Sequence, residues 1–272
     1  MQRVIGRLAV VAIGVLRWLA QRPAYMMLTA GDEELARQPP RRFAHAWVGM
    51  MLLSLVWGLA TVQVWSLTWG VFGDYSGIPL MPAAAVLSVY ALWLYRHSIL
   101  ALAGVILTRQ GHQVLATGTI LVALSLILLG LKSLNPDYPT DLPPAWQWIR
   151  PRTMYRALSL TPLWGGWAML VACQFSKPAE SAPPAVAAFA AGCTPLAACV
   201  VLAAVLSATI VYFGYLPWRP LSISAVAMVV AAAAGPAVSK RRGGLDRNAL
   251  LATNLLTQLA FLLACLANRN PY

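Results

Sequence analysis

Two clusters of residues in this sequence have the types and spacing to do chemistry, and both are basic. Arg96 and His97 lie inside ALWLYRHSILALAGVIL, with no carboxylate between Asp74 and Asp137. An arginine held in hydrocarbon must pair or face a polar cavity. The pair therefore reads either as a cation facing a phosphate or carboxylate ligand, or as the surface end of a span that stops near Tyr95. In the second case residues 98–108 form a short re-entrant or interfacial segment. The other cluster is Lys240, Arg241, Arg242, Gly243 and Gly244. It suits a positive anchor on anionic lipid. Alternatively, the glycine pair brings backbone N–H groups to a phosphate beside the N-terminus of the following helix.

Carboxylates are what these clusters lack. The eight acids are Asp32, Glu33, Glu34, Asp74, Asp137, Asp141, Glu180 and Asp246, each in a loop or tail. Proton relays and ion pathways use an intramembrane carboxylate, and Mg²⁺-dependent phosphoryl chemistry needs several acids around one metal. Neither pattern is present, so no catalytic residue, metal ligand or cofactor is assigned. His45 and His112 are isolated. Cys173, Cys193, Cys199 and Cys265 sit in apolar stretches without a CxxC pair and read as small packing residues.

The elements that must position these residues follow from composition. Of 272 residues, 60% are apolar and 10% charged, against about 25% charged in an ordinary soluble domain. The net charge of +12 would suit a nucleic-acid binder, but the mean hydropathy of +0.67 excludes a soluble one, so no nucleic-acid partner is expected. Uncharged stretches run over 43–73, 75–95, 110–131, 157–176, 181–218, 220–239 and 248–268. Each is long enough for a helix that crosses a core roughly 30 Å thick, and far longer than a barrel strand. The reading is an all-α polytopic membrane bundle of seven transmembrane helices, preceded by an N-terminal interfacial helix.

Residues 1–42 form a basic cytoplasmic or interfacial segment, and 43–272 the transmembrane domain. Val4 to Ala20 is apolar apart from Arg7 and Arg17 and lacks a small-residue cleavage site, which favours a helix lying in the interface over a signal peptide. Seven arginines before the first span, with Arg109, Lys177, Lys240, Arg241, Arg242 and Arg247, put 13 cations on one side. Lys132, Arg150, Arg152, Arg156, Arg219 and Arg269 put six on the other, which places the N-terminus inside a plasma (inner) membrane. Asn135 to Pro151 reads as a proline- and tryptophan-rich interfacial loop. Small-residue faces in 185–204 and 225–238 suit close helix packing or a homo-oligomer contact, and Pro195 and Pro236 are placed to kink their helices.

Several stretches together resemble cobalamin synthase (adenosylcobinamide-GDP ribazoletransferase), an integral membrane enzyme of vitamin B12 assembly. KRRGGLDRNALLATNLLTQLAFLLACLA (240–267) is similar to that family's closing segment, LTPLWGGWAMLVACQFSKPA (160–179) to its Gly-Arg-Trp-Ala-Met helix, and HQVLATGTILVALSLILLGLKSL (112–134) to the helix after its Lys-Asp-Ser-Arg motif. Arg41-Arg42-Phe43 also fits the start of the first span. The departures all run one way. His97 falls where the family has the His of an acidic run, but Ser98, Ile99, Leu100 and Ala101 follow it. The family's arginines read as Gln113 and Gly166, its Asp as Asn248, and its two Glu as Asn254 and Gln258.

The resemblance thus implies a ligand site at Arg96, His97, Gln113, Arg242, Gly243, Gly244, Asn248, Asn254 and Gln258 that has lost its metal-binding acids. Amides keep shape and some hydrogen bonding but are poor Mg²⁺ ligands. The first functional reading is a degenerate, non-catalytic member that binds a corrinoid, a nucleotide-linked ligand, lipid or a partner, or serves as a membrane-complex subunit. The second is the transferase itself, joining α-ribazole to adenosylcobinamide-GDP, with Mg²⁺ as its metal. The third, a small transporter, predicts an aqueous mid-membrane cavity lined by Gln63, Thr117, Thr119, Ser125, Thr209, Asn254 and Gln258.

Overall fold

An apolar segment in lipid can satisfy its backbone only within helices or a closed barrel. The computed structural model describes residues 22–72, 80–106, 113–130, 153–213 and 218–268, and they are helical apart from short links. Helices α1 (Pro23–Thr29) and α2 (Asp32–Ala36) and a 3-10 turn (Pro40–Arg42) lead into α3 (Ala46–Phe72), α4 (Leu80–Ile106), α5 (Gln113–Gly130) and α6 (Thr153–Phe175). A nine-residue α7 (Pro184–Gly192) precedes α8 (Pro195–Phe213), α9 (Arg219–Arg242) and α10 (Arg247–Ala267). Among the described residues no strand forms; Pro178 and Leu245 make one isolated parallel bridge.

Within the described residues, Ala46–Thr68, Pro195–Phe213, Pro220–Arg242 and Arg247–Ala267 are long and apolar enough to cross a membrane. The chain is an all-α membrane protein. Its outer faces carry exposed Leu52, Leu59, Val200 and Val229, as a lipid-facing surface does. α10 is the central helix: 72% of its apolar window is buried, against 28% for α3 on the outside.

Helix directions follow from the contacts. Gly166 of α6 lies against Met51 and Ser54 of α3, while Gly58 lies against Ser159, so α3 and α6 run antiparallel. Asn254 donates from Nδ2 to Met169 Sδ at 3.3 Å and Trp164 stacks on Phe261, which sets α10 antiparallel to α6. Trp167 Nε1 donates to the Ala198 carbonyl at 3.1 Å and Arg156 Nη1 to the Tyr212 carbonyl at 2.7 Å, so α8 also opposes α6. Arg241 Nη1 reaches the Val105 carbonyl at 3.5 Å, which puts the C-termini of α4 and α9 at one end. That end also holds Lys177, Arg247, and α1 and α2 with their following link; Arg247 Nε donates to the Met27 carbonyl at 2.9 Å.

Two expectations are corrected. The helix through Tyr95 does not stop there, because α4 continues through Arg96 and His97 to Ile106. Arginine is a good helix former, and a charge marks where a polar partner is needed rather than where a helix ends. The stretch 181–218 is likewise not one span. It breaks at Cys193 and Thr194, because a residue before proline avoids the helical region and Pro195 must open a new helix. Thr194 Oγ1 then accepts from Ala197 N at 3.2 Å, and α8 starts there. By contrast, Pro236 lies inside a continuous α9. The N-terminal interfacial helix and the Asn135–Pro151 loop lie outside the described residues.

Candidate functional site: the basic turn and the buried amides

The turn between α9 and α10 is built by its glycines. Gly243 has φ 75° and Gly244 φ 140°, conformations that a side chain resists. Gly243 N donates to the Lys240 carbonyl at 3.5 Å and Gly244 N to the Ser239 carbonyl at 2.9 Å, closing the last turn of α9. A Cβ on Gly244 would lie 2.5 Å from Ala179 Cα, so only glycine lets the two strands of chain meet. There Leu245 N donates to the Lys177 carbonyl at 2.8 Å, and Ala179 N to the Leu245 carbonyl at 3.0 Å.

Asp246 occupies the position a ligand phosphate would need. Its Oδ1 accepts from Ala249 N at 2.7 Å, capping α10, and its Oδ2 takes Arg242 Nε and Nη2, each at 2.7 Å. The N–H groups of the glycine pair are already used within the chain. The anion that a helix N-terminus attracts is therefore the protein's own carboxylate, and the phosphate cradle expected from Gly243 and Gly244 is closed. Loss of an N-cap costs about 0.5–2 kcal/mol, and a partly exposed ion pair adds up to about 1 kcal/mol. Asp246→Ala should accordingly lower stability by about 1–2 kcal/mol in a detergent unfolding titration, and Asp246→Asn, which can still cap, by distinctly less.

The nine candidate residues fall into separate places. Arg242, Gly243, Gly244 and a half-buried Asn248 share the basic turn. Asn254 and Gln258 lie buried in mid-bundle, where Gln258 Nε2 donates to Asn254 Oδ1 and both side chains pack on Gly165. Beside Gln258 a cavity of about 30 Å³ is lined by Thr61, Tyr90, Tyr95 and Thr161 among leucines, with Thr61 Oγ1 and Tyr90 OH 3.2 Å apart. That volume holds about one water, not a nucleotide. Arg96 is exposed on the outside of α4 and His97 is half-buried; Gln113 opens α5, and its side chain lies outside the described residues.

The described polar residues proposed to line a transport cavity are spread between surface and interior. Gln63 and Thr119 are exposed, while Thr209 is buried, donating to the Val205 carbonyl and accepting from Trp164 Nε1 at 3.1 Å. Ser125 lies outside the described side chains. Sequence reasoning missed two buried cations, Arg156 and Arg247, each donating to a carbonyl of another element. Both stand at the edge of an uncharged stretch, and nothing in that position distinguishes a buried arginine from a solvated one.

Mg²⁺ needs a nearly octahedral set of hard oxygens. Among the described residues no three of His, Cys, Asp and Glu come together, and both oxygens of Asp246 are engaged in the turn. The described residues do not fit the metal. No family model, curated protein or solved structure matches the chain.

Proposed function

We propose that this is a seven-span protein of the plasma (inner) membrane on a cobalamin-synthase-like scaffold, non-catalytic, with α3, α4, α5, α6, α8, α9 and α10 as its spans. It works as a binding or assembly subunit, toward a corrinoid or another membrane component. The observation that carries this reading is Asp246. The carboxylate and the arginine nearest to a phosphate-like position neutralise one another, so charge that would work on a substrate stabilises a turn instead. The glycines and the buried amides support the same view, because Gly165 packs on Asn254 and Gln258, Gly243 and Gly244 shape a turn, and Gln258 borders a water-sized cavity.

The deciding experiment is α-ribazole transfer onto adenosylcobinamide-GDP by the purified protein in lipid, with and without Mg²⁺. No turnover is expected, with an intact cobalamin synthase active alongside. Metal-dependent turnover would overturn the non-catalytic reading and establish the transferase.

Orientation supplies a second prediction. The exposed Lys177, Lys240 and Arg241 gather at one end with Arg37, Arg41 and Arg42, and the positive-inside rule puts that end in the cytoplasm. Trp218, 60% exposed, marks the opposite end. In a background without the native cysteines, Trp218→Cys should react with an impermeant maleimide in intact cells, and Lys240→Cys only after permeabilisation. The reverse pattern would invert the protein in the membrane.

A further inference from the structure

We propose that Arg96 docks a different membrane protein, through a spanning helix that carries a carboxylate at mid-depth. The inference rests on the seven-span reading of α4. Its first support is depth. Arg241 touches the Val105 carbonyl, so Val105 is level with the end of α9, where an apolar stretch of membrane-spanning length stops at Arg242. Arg96 lies nine residues (105 minus 96) back along α4. At about 1.5 Å per residue that is about 14 Å, the middle of a core roughly 30 Å thick. The Cα–Cβ bond leans toward the helix N-terminus, away from the nearer headgroups, so snorkelling works against the geometry.

The second support is direction. Arg96 is exposed on the same face as Val89, Trp93 and Leu100, at steps of three and four residues, whereas Ile99, Leu102 and Ala103 are buried. Arg96 therefore points out of the bundle, among apolar side chains. Within the described residues no hydrogen bond or ion pair reaches it. A guanidinium at that depth needs an anion, and a carboxylate matches its fork with two parallel hydrogen bonds.

The third support is what this chain cannot supply. None of the eight acids belongs to a spanning helix. Asp32, Glu33, Glu34, Glu180 and Asp246 belong to the short helices, links and turn at the basic end. Asp74, Asp137 and Asp141 fall in sequence between α3 and α4 or between α5 and α6. No spanning helix of a second copy therefore brings a carboxylate to that depth. The occupant is a different chain, with Asp or Glu near the centre of a span. Trp93, 77% exposed one turn away, offers it a broad apolar contact.

The test uses the full-length protein in vesicles with a synthetic single-span Leu/Ala helix carrying one central Glu, and its Gln twin, followed by energy transfer. The Glu helix should bind about tenfold more tightly than the Gln helix. Arg96→Leu should abolish the difference, and Arg96→Lys should keep part of it. Equal binding of the two helices, or a preference that survives Arg96→Leu, overturns the proposal. Arg96→Cys without the native cysteines separates the failures. Labelling by an impermeant maleimide would show that α4 does not place residue 96 in the core, and both readings would fall. Protection without a Glu preference would leave α4 as a span and make a lipid phosphate the counter-ion. In membranes of the source cell, a photoreactive residue at Trp93 should yield one adduct with a chain bearing an intramembrane acid, lost in Arg96→Leu. Adducts with lipid alone, or with a second copy, overturn the proposal.

Discussion

Gly58→Leu should prevent the bundle from closing, and Gly58→Ala should already weaken it by about 3 kcal/mol or more, at the upper end of what overpacking costs. A Cβ at Gly58 would stand 2.3 Å from the Ser159 carbonyl oxygen and 2.9 Å from its carbon. These are backbone atoms of α6, which cannot swing aside as a flexible side chain can. The helices would have to part, and the neighbouring contact of Gly166 with Met51 and Ser54 lies on the same seam. Packing of this kind carries much of helix association in lipid, where water contributes no hydrophobic drive between spans. The matched control is Gly104→Ala, because a Cβ there meets nothing within 4 Å. It should be neutral or gain about 1 kcal/mol from helix propensity. Unfolding in a sodium dodecyl sulfate titration, followed by tryptophan fluorescence, measures both, and equal stability of the two alanine variants would refute the account.

The class of this protein was legible because composition reports solvent. A chain that is 60% apolar and 10% charged cannot cover itself in water, and uncharged stretches of spanning length then locate the helices. The limits of that reasoning show at particular residues. Reading charges as helix ends stops α9 before Lys240, short of Arg242 where Gly243 caps it, and stops α4 before Arg96, which sits within that helix. The sequence places a kink at both prolines, yet Pro195 starts a new helix and Pro236 lies within one that continues. Local sequence alone does not separate those outcomes, because the second depends on neighbours that absorb the lost hydrogen bond.

Faces were harder to read than spans. Helices apolar on every side give little periodic signal, so the sequence of α3 or α8 does not say which residues meet α6. α10 is the exception, since Asn254 and Gln258 recur at a four-residue step and both turn inward. The candidate site was legible only in part for a related reason. Residue types mark Arg242, Gly243 and Gly244 as neighbours, and the structure puts them in one turn, but their partner Asp246 reads in sequence as a loop acid. Its role as helix cap and ion-pair partner exists only once α9 and α10 are folded against each other.

Gln258→Glu tests whether the interior amides serve helix packing or a polar site open to water. The change is nearly isosteric, so packing on Gly165 is preserved and the charge is the main difference. Gln258 is 4% exposed, and its Nε2 donates to Asn254 Oδ1. An ionised carboxylate cannot donate, and it would face the Asn254 oxygen across that contact. The buried cations offer no rescue: Arg247 is eleven positions (258 minus 247) along α10, about 16 Å at 1.5 Å per residue, and is bonded to the Met27 carbonyl. Arg156 is bonded to that of Tyr212. An uncompensated buried charge costs about 3–5 kcal/mol, so the variant should lose most of that stability at pH 8. At pH 4 protonation restores both neutrality and a donor, and the deficit should shrink; stability lost on the alkaline side is the sign required when the ionised form is the one the fold disfavours. A variant as stable as the parent at pH 8 would mean that water or a cation reaches Gln258. The cavity bounded by Thr61, Tyr90, Tyr95 and Thr161 would then be the entrance to a working polar site rather than a gap in the packing.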